Sequence, residues 1–130
     1  MENRVTQAAD EQRATEPDDI ELVEMANLAE DDTGVAGFIY ISSAQVSHGP
    51  RVKWYPQRLR TRQDPCLAVT IDAPQAINLN LPRRIADAAA GPVQQWVALN
   101  RAALLDYWNN GYSWTRRDVT AFIDALRKIP

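Results

Sequence analysis

The stretch 76-AINLNLPRRIADAAAG-91 changes its period halfway, and the fold class turns on that change. Its first part alternates. Ile77 and Leu79 are separated by polar positions, the two-residue repeat of a half-buried strand, so both side chains are expected to point into the core. Pro82 and Gly91 then bracket 81-LPRRIADAAAG-91 with proline near the start and glycine at the end, the asymmetry of a short helix.

Toward the N-terminus, three more segments read as strands. The run 37-GFIYISSAQ-45 is rich in β-branched and aromatic residues. After the turn signal 47-SHGP-50, 51-RVKWY-55 alternates, with Val52 and Trp54 on one face and Arg51, Lys53 and Tyr55 on the other. In 67-LAVTID-72 the inward set is Leu67, Val69 and Ile71, followed by a proline-containing turn over Asp72–Gln75. Toward the C-terminus the chain reads as helix. Pro92 opens a segment running to about Asn109, with Gly111 as its terminating residue. The last helix starts at a T-x-x-D capping box, Thr115 and Asp118, with Trp114 and Val119 spaced as a hydrophobic staple. Val119, Phe122, Ile123 and Leu126 share one face, and Arg127 and Lys128 fall in the expected last turn. Strands followed by helices give an α+β class. The sequence thus predicts a small antiparallel sheet of about four strands within residues 37–80, with three C-terminal helices packed on one face.

Charge divides the chain differently. Residues 1–34 hold eleven acids against Arg4 and Arg13, a net −9, whereas residues 35–130 hold twelve bases against six aspartates, a net +6. A basic domain over 35–130 is therefore expected behind an acidic, largely disordered tail over 1–34, whose polar composition cannot offset the entropy of ordering. Within that tail, 18-DDIELVEMANLAEDD-32 places Ile20, Val23 and Leu28 near helical spacing behind an aspartate cap, the pattern of a nascent helix or of a segment that folds on a partner. The single cysteine, Cys66, admits no intramolecular disulfide and suits a reducing cytoplasm. The sequence gives no reason to expect a secretory leader or a membrane span.

Little in the sequence points to catalysis. One His (His48) and one Cys do not make a metal site, and Cys66 opens an apolar strand, where a buried structural thiol is expected. The aspartates of the basic part, Asp64, Asp72, Asp87, Asp106, Asp118 and Asp124, show no pairing by spacing, and neither a Walker loop nor a G-x-G-x-x-G run is present. No cofactor and no metal are expected. The strongest binding signal is 51-RVKWYPQRLRTR-62, which interleaves Arg51, Lys53, Arg58, Arg60 and Arg62 with Trp54 and Tyr55. Arginines contact phosphates and aromatic faces stack on unpaired bases, so single-stranded nucleic acid is one expected partner and an acidic protein surface the other. Arg83–Arg84 and Arg116–Arg117, at helix starts where bases oppose the dipole, extend the patch. A solvated hairpin whose bases guard an edge strand is the ordinary alternative.

The segment 96-WVALNRAALLDYWNNG-111 carries one more question. Trp96, Tyr107, Val93, Leu104, Val97, Trp108 and Leu105 form a continuous helical arc, yet Asn100 lies inside it and Arg101 near its edge. Asn100 is expected to hydrogen-bond a strand end or loop backbone, and Arg101 to lay its stem on Trp108 with its guanidinium in water. A second reading has both lining a polar pocket or partner surface.

The pattern W-x-x-L-N-R-x-x-L-L-D-Y-W-x-x-G over Trp96–Gly111, followed by a short helix ending in A-L-R, resembles the C-terminal part of a family of small uncharacterised bacterial proteins. These carry a domain of unknown function and often occur in gene pairs of the toxin–antitoxin kind. The likeness spans residues 92–129 well and 66–91 faintly. It implies a small α+β module paired with a second small protein, and it brings no activity with it. Many such relatives have several histidines in the early hairpin, where this chain has His48 alone. The resulting expectation is a non-enzymatic cytoplasmic interaction module, with nucleic-acid binding through 51–62 as the alternative and the acidic tail as its intramolecular competitor.

Overall fold

The computed structural model describes residues 26–41, 49–58 and 64–130. Its sheet has five antiparallel strands in sequential order: β1 (Ala26–Leu28), β2 (Phe38–Ile41), β3 (Arg51–Tyr55), β4 (Cys66–Thr70) and β5 (Ala76–Leu79). The helices are α1 (Glu30–Thr33, a single turn), α2 (Arg83–Leu99), α3 (Arg101–Asn110) and α4 (Arg116–Ala125), with a 3₁₀ turn at Gly111–Ser113. The α+β class and the antiparallel sheet are as the period change predicts.

Three long helices cover one sheet face. Ile39, Ile41, Val52, Trp54, Leu67, Val69 and Ile71 meet Ala86, Ala89, Val93, Trp96, Val97, Leu104 and Phe122 in a single core. The alternation read for β3 and β4 is therefore the observed one. At the far end of that core Tyr107, Trp114 and Phe122 pack ring on ring, with Tyr107 and Phe122 stacked at 5.0 Å. The Thr115–Asp118 capping box forms in both directions, at 3.0 and 3.1 Å.

Four expectations need correction. The folded part already includes Ala26–Gly34, upstream of the expected start at Val35. β1 pairs with β2, burying Ala26 and Leu28, and α1 follows it. Glu30, Asp31 and Asp32 fill the first turn of α1, where carboxylates suit the helix dipole, and Asp32 accepts the Ala29 N–H at 2.9 Å. Acids that read as a solvated tail therefore act as a cap, and the described part of the nascent-helix segment is a short strand, Ala26–Leu28, followed by that single helical turn. The expectations for residues 1–25 lie outside the described residues.

In β5 the register is one residue from that expected. Ile77 pairs with Ala68 and Leu79 with Cys66, so both side chains lie on the helix-free face. Asn78 takes the helix-facing position opposite Leu67, and its side chain brackets the turn into α2 by bonding the Leu81 N–H and C=O. Asn80 is left-handed (φ 76°) and ends the strand.

The helix break is also displaced. α2 runs through Gly91 and Pro92 without interruption and stops at Asn100, which starts α3. Finally, α4 ends at Ala125, so Arg127 and Lys128 belong to a C-terminal strap rather than a last helical turn. That strap is tied to α1 by the Ile129 N–H donating to Thr33 O at 3.0 Å. Gly34 permits the crossing. Its φ is +80°, and a Cβ there would collide with the Ile129 carbonyl. Among the described residues, no helix is long and apolar enough to cross a membrane.

Candidate functional site

The residues singled out by sequence divide between the two faces of the sheet. On the helix-free face, β3 places Arg51 opposite Thr70 and places Lys53 between Tyr40 and Ala68. Tyr55 shares this face and Arg58 follows β3 directly. The Arg58 guanidinium sits over the Phe38 ring, 5.1 Å from its centroid, a cation–π contact. Four of the basic-hairpin residues are thus brought together. Arg60, Arg62 and His48 lie outside the described residues.

The aromatic part of the hairpin is spent elsewhere. Trp54 points into the helix-facing core, 6% exposed, with its indole N–H donating to Ala36 O at 2.7 Å. Gly37 (φ +99°) is what lets the backbone cross that ring, since a Cβ there would lie 2.6 Å from the indole nitrogen. Tyr55 is on the basic face but only 2% exposed, packed edge-on to Tyr40 at 5.3 Å. Neither ring presents a face on which a base can stack.

Tyr40, Tyr55 and Cys66 form a second buried cluster on this side, flanked by Phe38 and Leu79. Alternation in 37-GFIYISSAQ-45 was the available signal, since Phe38 and Tyr40 are two residues apart. Without knowing which face the helices cover, that signal does not place them. The Tyr55 hydroxyl is hydrogen-bonded to the Cys66 thiol. Burial pushes the Tyr55 hydroxyl well above its ordinary pKa, and the neighbouring Cys66 adds to the shift. Burial likewise raises the Cys66 thiol, against the opposing pull of that hydrogen bond and of the Lys53 and Arg51 charges. Both groups are held protonated, the opposite of what an activated nucleophile requires. Among the described residues, no three His, Cys, Asp or Glu side chains converge as metal ligands.

Arg51 has an unusual environment. Its Nε is buried and has no hydrogen-bond partner among the described residues, and the residue lines a cavity of about 330 Å³ shared with Gly49, Pro50, Thr70, Asp72 and Gln75. A larger opening of about 350 Å³ lies at the other end of the strand, between Tyr55–Arg58 and the start of α2 at Leu81–Ile85.

Asn100 and Arg101 stand apart from this surface, and both bind their own backbone. Asn100 is 5% exposed. Its Nδ2 donates to Trp96 O at 3.0 Å and Arg127 O at 2.9 Å, while Oδ1 accepts the Arg127 N–H at 2.8 Å. The amide thus clamps the C-terminal strap to the α2–α3 break, which answers why it sits in an apolar arc. The Arg101 guanidinium is solvent-exposed, as expected, and also donates to Asp72 O at 3.1 Å, with the Asp72 carboxylate 3.6 Å away. That pair is largely exposed and contributes little beyond orienting the β4–β5 turn. Arg83 pairs with Asp87 one helical turn on, at 3.5 Å.

A scan of protein-family models and searches of curated proteins and of solved structures return no match to this chain.

Proposed function

We propose that this chain is a non-enzymatic interaction module that binds an acidic protein partner through the helix-free face of its sheet. On this reading it is one component of a two-protein pair of the toxin–antitoxin kind. The observation that carries the reading is Arg51. A buried guanidinium N–H without an acceptor costs on the order of 1–3 kcal/mol, and a carboxylate entering the adjoining cavity removes that cost with a charge-assisted bond. Asp72, the one carboxylate among the described residues that line the cavity, is engaged by Arg101. Lys53 and Arg58 present further positive charge on the same side of the sheet.

Burial of Trp54 and Tyr55 favours carboxylates over unpaired bases as the ligand. A single-strand surface draws much of its affinity from stacking, and here the rings face the core or one another. The protonated state of Cys66 and Tyr55 supports a binding role over a catalytic one.

Titrating a short labelled poly-glutamate peptide, and separately a labelled single-stranded oligonucleotide, into the full chain tests this. The peptide is expected to bind and to lose affinity at higher salt and in an Arg51→Ala, Lys53→Ala double variant. A chain starting at Ala26 lacks eight acids and two arginines, a net −6, and is expected to bind the peptide more tightly because a tethered competitor is gone. Oligonucleotide binding that responds to the double variant, with the peptide inert, would instead favour nucleic acid.

A further inference from the structure

We propose that two copies of this chain associate through β5, pairing antiparallel about a two-fold axis at Ile77. The inference is separate from the acidic-partner reading, because it concerns the edge of the sheet and its backbone. β5 is the last strand, with no described strand beyond it, and Ala76, Ile77 and Asn78 are all exposed, Ile77 at 40%. Edge strands are ordinarily protected by a charge, an internal proline or a bulge. Residues 73–82 contain no charge, and the prolines at 74 and 82 lie outside the strand.

The hydrogen-bond pattern fixes which groups are free. Thr70 N–H donates to Gln75 O at 3.1 Å, and in an antiparallel ladder such bonded pairs recur every second residue. Gln75, Ile77 and Leu79 therefore direct their backbone groups at β4, and Ala76 and Asn78 direct theirs at the open edge. A second copy is the occupant that fits this arrangement without any further feature. With Ile77 opposite Ile77 of the second copy, Ala76 of each strand meets Asn78 of the other as a bonded pair, giving about four inter-strand hydrogen bonds.

The alternative register, centred on Asn78, would demand bonding by Asn80. Its left-handed backbone (φ 76°) takes it out of the strand. The Ile77 axis also sets the two exposed isoleucines side by side as a non-bonded pair, where side chains approach most closely. No like charges meet across the axis, so a second copy carries no electrostatic penalty at the ladder itself. The two five-stranded sheets then form one continuous sheet with both helical layers on the same side. A ladder this short belongs to the small, weak class of interfaces, so association is expected only at high protein concentration.

Sedimentation velocity of the full chain across a wide concentration range is the test. It is expected to show a concentration-dependent shift from monomer to dimer, and Ile77→Lys is expected to weaken association by about tenfold or more. Far-UV circular dichroism verifies that this exposed substitution leaves the fold intact. A second measurement reads the register. Cα atoms of a non-bonded pair lie about 4.5 Å apart, within disulfide range, so Ile77→Cys should cross-link under mild oxidation. Gln75→Cys, on the same exposed edge but facing position 79 of the other copy, should not. A chain that stays monomeric at every concentration overturns the proposal, as does cross-linking that is absent or equal for the two cysteine variants.

Discussion

Replacing Asn100 by alanine removes a clamp whose cost can be worked from its bonds. The side chain makes three hydrogen bonds, but the loss is not three equal terms. Trp96 O keeps the Asn100 backbone N–H as a partner at 3.1 Å, so that carbonyl is not orphaned. Arg127 N–H and C=O lose their partners in a partly buried site that water reaches incompletely, at about 1 kcal/mol each. With the small void left in an apolar arc, the expected destabilisation is about 2–3 kcal/mol. Urea melts at constant m-value measure it, with the exposed Asn109→Ala as control at under about 0.5 kcal/mol. Asn100→Asp separates the donor from the acceptor. It keeps an oxygen for the Arg127 N–H but turns the other toward the carbonyls of Trp96 and Arg127. A carboxylate facing two carbonyls titrates above its unfolded value, near 4, so the penalty is present at neutral pH and relieved as pH falls through that range. If Asn100→Ala melts within about 0.5 kcal/mol of the parent, the clamp is not a determinant of stability and the reasoning fails.

Gly91→Ala is expected to stabilise by about 0.5–1 kcal/mol in the same melts, because Gly91 lies mid-helix and a Cβ there meets nothing within 4 Å. A loss of stability would restore the helix terminus that the glycine suggested in sequence. Gly37→Ala should cost about 2 kcal/mol or more, since φ is +99° and the new Cβ meets the Trp54 indole; an unchanged thermal midpoint would contradict that packing. Cys66 has a folded pKa above its ordinary 9.0, so its contribution to stability is intact below that pH and lost as pH rises through the folded value. Thermal midpoints should therefore hold to mildly alkaline pH and then fall, less steeply in Cys66→Ala, with native Cys66 reacting slowly with a thiol reagent at neutral pH. Rapid labelling of the native chain would refute the burial.

What the sequence made legible follows from what single residues can signal. The alternation in β3 and β4 identifies Val52, Trp54, Leu67, Val69 and Ile71 correctly because each strand has one clearly apolar parity. β5 defeats the same rule. Its only large apolar residues, Ile77 and Leu79, lie on the helix-free face, and Asn78 faces the helices because its amide is needed at the turn. β1 has too few residues to show a period, and the acids of α1 imitate a solvated tail while capping a helical turn. Gly91–Pro92 looks like a helix boundary in one dimension, but Ala89, Val93, Trp96 and Val97 bury a continuous face across it, and that packing outweighs the lost backbone bond. For the candidate surface, the basic positions on β3 were readable from their parity. That the rings of Trp54 and Tyr55 are consumed by packing was not, because hairpin sequence does not say what covers either face.

A titration of the full, ¹⁵N-labelled chain with the poly-glutamate peptide, followed amide by amide, reads directly whether the helix-free face takes an acidic partner. Shift changes are expected to concentrate at Gly49–Lys53, Arg58 and Thr70–Gln75, and to be abolished by the Arg51→Ala, Lys53→Ala double variant. Changes centred on Arg116–Arg117 of α4, or a spectrum indifferent to the peptide at low salt, would contradict binding at that face.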